Sequence, residues 1–165
     1  GQGDLLRAIA RSAARRGLVA RLAGVDLNPR SAAVARAATP ATLKIDYHTG
    51  DVFNFPLAEH PDFIVTSQFA HHLAGPDIVR LLRWMEANAQ CGWHVADLQR
   101  HRFAYHGYPL LARIMRWHEI VRQDGAVSIA RGFTRAELAA FCEAAGLRAQ
   151  ITWRVPFRYT VSRLK

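Results

Sequence analysis

The sequence predicts an α/β fold, with a mostly parallel sheet closed by an antiparallel β-hairpin. Three observations carry this expectation. Short strand-like apolar runs alternate with helical stretches over residues 5–146. Asp26 sits where the apolar pair Val25 and Leu27 meets Asn28-Pro29, a helix cap followed by a residue suited to the first helical turn. The last two apolar runs, 147–155 and 157–164, flank Pro156 with no helical pattern between them, as in a hairpin at a sheet edge.

The elements follow in order. Leu5, Leu6, Ile9 and Ala13 form the apolar stripe of a first helix, which Gly17 stops. Residues 18–27 read as a strand and 29–38 as a helix, broken by Thr39-Pro40. Leu43, Ile45 and Tyr47 alternate with Lys44, Asp46 and His48, a half-buried strand that leads into the turn Gly50-Asp51-Val52. The compact run 62–67 suits a buried central strand. A helix over 76–89 would bury Ile78, Val79, Leu82 and Met85, and 92–98 is the next strand. Residues 100–106 are polar, aromatic and basic, and a helix is expected over 108–121. Asp124-Gly125 reads as a turn and 126–132 as a loop. Thr134 with Glu137 three residues on is a capping box, opening a helix that Gly146 ends.

Composition narrows the function classes. At 165 residues, half of them hydrophobic, the chain suits one domain spanning 1–165 with a substantial core. The formal net charge of +9 raises the prior for an anionic partner. Yet Lys44 and Lys165 are the only lysines, and the arginines are scattered rather than gathered into a basic tail. Nucleic acid is therefore disfavoured as a partner. No run is long and apolar enough to cross a membrane, so no membrane insertion is expected. Cys91 and Cys142 lack the spacing of a disulfide framework or a zinc site, which fits a reducing, cytoplasmic setting. Both are expected to be buried, and no metal site is expected.

The order of these motifs resembles that of class I S-adenosylmethionine-dependent methyltransferases acting on small molecules. Gly1-Gln2-Gly3 matches the end of the family's glycine-rich first motif, and Asp26 the acid that closes its second strand. Gly50-Asp51-Val52 matches the third-strand motif, and 62–68 the fourth strand, followed by His71-His72-Leu73. The resemblance implies a Rossmann-like three-layer sandwich with S-adenosylmethionine as cofactor. It implies that Gly1, Gly3, Asp26, Leu27, Asp51, Val52 and Gln68 contact that cofactor, with Asp26 on the ribose and Asp51 on the adenine. The family's first strand, central in its sheet, has no counterpart here. The expectation is that residues upstream of Gly1 supply it.

The resemblance further implies methyl transfer by in-line displacement to an oxygen or carbon of a small-molecule acceptor. His71, His72 and His101 are the candidate bases, with His106 behind them. Capping and pocket-lining are their structural alternatives. Asp97, ending the fifth motif strand, could orient a histidine, and Arg100 and Arg102 could bind an acidic group. Tyr105, Tyr108, Met115 and Trp117 would wall a planar acceptor if 100–132 forms a lid; otherwise they pack the core. Two other classes share some of these features. A nicotinamide-dependent oxidoreductase also places an acid after its second strand. A non-catalytic cofactor- or RNA-binding module would draw on the basic charge. Ser67-Gln68-Phe69-Ala70 stands where nucleic-acid methyltransferases carry an Asn-Pro-Pro-Tyr-like motif, which favours the small-molecule reading.

Overall fold

The computed structural model describes residues 2–115 and 119–165, with the side chains of 119–124 left out. Gly1 and Trp117 thus lie outside the described residues. The chain forms two compact units, 1–58 and 59–165.

The first unit runs α1 (Asp4–Arg15), β1 (Leu22–Asp26), α2 (Pro29–Ala37) and β2 (Ile45–Thr49). β1 and β2 pair in parallel, with Leu22 opposite Ile45 and Asp26 opposite Thr49. Tyr47, Ala32 and Ala35 form the core, with Leu6 and Ile45 packed against it. α1 ends as the glycine at 17 predicts. Gly17 is left-handed at φ +68°, and the N–H groups of Gly17 and Leu18 bond back to the carbonyls of Ala14 and Ala13. The strand is shorter than expected: Leu18 and Val19 are exposed and lie outside the β1–β2 pairing.

At the start of α1, Gly3 has φ +80°, and a Cβ there would lie 2.5 Å from the Tyr47 hydroxyl oxygen. Only glycine meets both demands. The buried guanidinium of Arg7 then ties this turn down. It donates to the Gln2 carbonyl at 2.9 Å, to Asp4 Oδ1 at 2.6 Å and to Thr39 Oγ1 at 3.4 Å.

The second unit runs β3 (Phe63–Ser67), a 3-10 turn (Ala70–His72), α3 (Gly75–Asn88), β4 (Gly92–Leu98), α4 (Arg102–Ile114), α5 (Glu119–Arg131), α6 (Arg135–Ala145), β5 (Gln150–Arg154) and β6 (Arg158–Leu164). The sheet order is β3-β4-β6-β5. β3–β4 is parallel, and β4–β6 and β6–β5 are antiparallel, so the terminal hairpin is present. Trp93, Leu81 and Met85 are its most deeply buried large side chains. In α3, Leu81 takes the buried place expected of Val79, which is only half-buried. The Thr134–Glu137 capping box opens α6 as predicted.

Four expectations need correction. β3 is not a fully buried strand: Phe63 is 55% exposed and Val65 36%. It stands at the end of its sheet, where one face and one edge lack cover among the described residues. β1, likewise, pairs with β2 alone among the described residues. Second, the helix expected over 108–121 begins at Arg102 instead, because His101 caps it by accepting the Phe103 N–H. Third, 124–132 is not a turn and loop but largely helix α5. Gly125 is placed for packing rather than for turning: a Cβ there would fall 2.1 Å from the Tyr108 ring. Finally, Cys142 is buried as expected, whereas Cys91 is exposed.

Candidate functional site

In the first unit, two carboxylates stand at the carboxyl end of the parallel strands. Asp26 is the last residue of β1, and its Oδ1 accepts the Asn28 N–H at 2.8 Å. Asn28 in turn accepts the Arg30 N–H at 3.0 Å, capping α2 with Pro29 at its first position. The loop after β2 is tied to this one, since the Gly50 N–H donates to the Asp26 carbonyl at 3.0 Å. Asp51 organises that second loop: its Oδ1 accepts the Phe53 N–H at 3.0 Å and its Oδ2 accepts from Asn54 Nδ2 at 2.8 Å. Leu27 is 75% exposed beside Asp26, and Val52 is half-buried beside Asp51. The structure thus brings Asp26, Leu27, Asp51 and Val52 to one strand edge.

These residues suit a nucleoside. Each carboxylate oxygen has two acceptor lone pairs, so one hydrogen bond per oxygen to the local turn leaves Asp51 capacity on both. Ribose hydroxyls and an adenine amino group are donors of the kind these acceptors take. At Gly3, the space its missing Cβ vacates is filled by Tyr47.

In the second unit the chain leaves β3 through Gln68, a non-glycine residue at φ +52° whose N–H donates to the Ala96 carbonyl at 2.8 Å. The 3-10 turn that follows carries His71 into a buried pair with Asp97 at the end of β4. His71 Nδ1 lies 2.7 Å from Asp97 Oδ1, and the His71 backbone N–H donates to Oδ2 at 3.2 Å. Both side chains are 3% exposed. The Leu98 N–H also donates to Asp97 Oδ1, at 2.7 Å, so the carboxylate is held from three directions. With a carboxylate facing Nδ1, the ring carries its proton there, and the lone pair falls on Nε2. Nε2 has no hydrogen-bond partner among the described residues.

The other candidate histidines separate clearly. His72 is exposed, with its ring 4.1 Å from that of His71. His101 Nδ1 accepts the Phe103 N–H at 3.2 Å, which commits that lone pair to the cap of α4. Its ring packs on Phe103 and Phe157. Among the described residues no cluster of His, Cys, Asp or Glu could hold a metal ion.

Beyond Asp97 the chain is strapped to the end of α5. The Phe133 N–H donates to the Leu98 carbonyl and the Arg100 N–H to the Phe133 carbonyl, both at 2.9 Å. Arg100 Nη2 then lies 2.5 Å from Glu137 Oε1. Burial pushes the Glu137 carboxyl up, but hydrogen bonds from Arg100 and Thr134 outweigh it and hold the group below its ordinary range. Behind this strap is a cavity of about 370 Å³, lined by Arg100, His101, Arg102, Tyr105, His106 and Ala130. Of the proposed acceptor wall, Tyr105 and Met115 are exposed, as are Leu110, Leu111 and Ile114 on the same helix, so α4 does not bury these side chains in a core. Sequence reasoning missed Ala130 because it read that segment as a loop. It named Gln68 but did not foresee its left-handed backbone, for which no local signal exists.

An acid at the carboxyl end of paired parallel strands, as at Asp26, belongs to the α/β class of fold. Comparison with known proteins specifies it. A methyltransferase-domain family matches residues 1–92, more than half the chain, and the protein belongs to that family, whose methyl donor is S-adenosylmethionine. No curated protein sequence matches. Among solved structures, magnesium protoporphyrin IX methyltransferase from Synechocystis PCC 6803, with SAH bound, is 12% identical at a TM-score of 0.63. That match covers 100% of this chain and 70% of the other. The plantazolicin methyltransferase BpumL, in complex with SAH, is 14% identical at a TM-score of 0.74, covering 100% and 73%. A protein described as a pericyclic reaction enzyme is 17% identical at 0.65, covering 99% of this chain and 42% of its own. At these identities the likeness establishes the fold.

Proposed function

We propose that the protein transfers the methyl group of S-adenosylmethionine to a small-molecule acceptor at an oxygen or carbon that must lose a proton. The observation that carries this is the buried His71–Asp97 pair, with Nε2 without a hydrogen-bond partner among the described residues. Bound at the site, the cofactor supplies a methyl group on a positively charged sulfur, which needs no further activation. The residues of the chain do the rest. Asp26 and Asp51 accept hydrogen bonds from ribose and adenine. Asp97 fixes the imidazole and stabilises the imidazolium, and His71 Nε2 takes the acceptor's proton as the new bond to the methyl carbon forms. Gln68 holds the turn that delivers His71. Two uncoupled thiols fit a reducing compartment, and we place the protein in the cytoplasm on that ground. No helix among the described residues is long and apolar enough to cross a membrane.

Because this fold also hosts a pericyclic reaction enzyme, the test must read methyl transfer itself. Asp97→Asn keeps the side chain's size and removes the charge. It should lower the rate of labelled-methyl transfer by about 10²- to 10⁴-fold, the usual contribution of a positioned base, with the affinity for SAH unchanged. An unaltered rate would remove the base from the mechanism. Wild-type protein that binds SAH but transfers no methyl to any acceptor would remove the activity.

A further inference from the structure

We infer that the cavity beyond β4 recognises a planar aromatic acid, and that Arg102 is the residue that selects its carboxylate. The inference rests on the methyltransferase reading, to which it adds the class of acceptor.

The cavity's chemistry is one-sided. Of its six lining residues, two are arginines, two are histidines and one is a tyrosine, and none is acidic. Glu137 offsets one of these charges by pairing with Arg100. Arg102 has no ion-pair partner among the described residues, so its guanidinium is the uncompensated cation of the group. A guanidinium matches a carboxylate through two parallel N–H donors, a geometry that a lysine cannot offer. His101 adds a third donor. Since its Nδ1 accepts the Phe103 N–H, its ring hydrogen is on Nε2.

The remaining wall is flat and aromatic. Tyr105 is 45% exposed and meets the His106 ring edge-on, with centroids 5.1 Å apart. At about 370 Å³ the cavity is of small-molecule size. A planar ring carrying one carboxylate is the ligand that uses both the cation and the aromatic faces. The cavity is also joined to the proposed base. Arg100 is three residues beyond Asp97, a span of roughly 10 Å at most. α5, which contributes Ala130, packs against both β4 and the turn that carries His71. A long polyanion is a poorer fit, since a single guanidinium without an ion-pair partner among the described residues cannot track a phosphate backbone.

The test is calorimetric titration of the intact protein, in saturating SAH, with benzoate, 2-naphthoate and indole-3-carboxylate, each beside its neutral amide. At least one acid should bind about tenfold more tightly than its amide, the worth of one charge-assisted hydrogen-bonding group. Arg102→Gln should erase that preference, and Arg102→Lys should restore part of it, while the affinity for SAH stays at the wild-type value. If no acid binds, if acid and amide bind alike, or if Arg102→Gln keeps the preference, the proposal is wrong. Titrating SAH into each protein prepared without it separates the two failures. Normal SAH affinity leaves the methyltransferase reading standing, and its loss in the wild type sinks that reading.

Discussion

The two strand edges that carry the candidate residues are built in opposite ways. In residues 1–58, the carboxylates belong to their own turns: Asp26 holds Asn28, and Asp51 holds Phe53 and Asn54. Each of these partners lies within three residues of its carboxylate. In residues 59–165, the functional groups are joined across long stretches of chain. His71 meets Asp97, Arg100 meets Glu137, and the cavity draws on both α4 and α5. The first edge is a property of local sequence, and the second of tertiary packing. A local edge tolerates change elsewhere in the chain, whereas an assembled edge depends on every element that frames it.

The contrast can be broken most sharply at Asp26. Asp26→Ala removes the acceptor assigned to the ribose, and SAH affinity measured by calorimetry should fall by about 10- to 100-fold, the worth of one or two hydrogen bonds to a charged group. The far-ultraviolet circular dichroism should remain unchanged, because α2 retains its Asn28 cap and Pro29. Unchanged affinity would mean that this carboxylate only shapes its turn.

A smaller effect is expected at Gly3. Gly3→Ala forces a left-handed side chain against the Tyr47 hydroxyl and should cost about 1–3 kcal/mol of stability by thermal unfolding. A wild-type melting temperature would show that the turn has room that the geometry does not reveal.

The smallest effect concerns acid. Burial, and then the charge of Arg154, lower the pKa of His94 below 6.5. The unfolded chain therefore binds that proton first, and stability falls as pH drops from 6.5 toward the folded value. Glu137 is likewise held below its ordinary 4.5, so its contribution is present above 4.5 and is lost as pH falls through its folded pKa. That contribution is modest, because the Arg100–Glu137 pair is substantially exposed to solvent. His94→Gln should flatten the upper limb of a melting-temperature profile against pH and leave the lower limb in place. An unchanged upper limb would assign the acid sensitivity to another group.

What could be read from sequence follows the same division. The Asn28-Pro29 cap, the Thr134–Glu137 capping box and the Gly17 and Gly146 stops are local devices, and each stands where the residues place it. The carboxyl-edge positions of Asp26 and Asp51 follow from those devices. The region around α4 and α5 was misread because Gly125 has two physical uses. A glycine can turn a chain or admit a neighbour's ring, and only the presence of Tyr108 decides between them. The exposure of Phe63 is likewise invisible in a run of apolar residues, since it depends on what packs beside β3. The histidines show the limit most clearly. His71 and His72 are chemically identical neighbours, and it takes Asp97, 26 residues downstream, to hold one buried while the other is exposed.

Gln68 carries a consequence of its own. A left-handed backbone costs a residue with a side chain on the order of 1 kcal/mol relative to glycine. Glycine at this position would therefore make a more robust protein, one that melts higher and survives handling better. The gain would loosen the joint between β3 and the turn that presents His71. Directed evolution for thermal tolerance should find Gln68→Gly early, and selection for turnover should discard it, which makes this single joint a place where durability and speed pull in opposite directions.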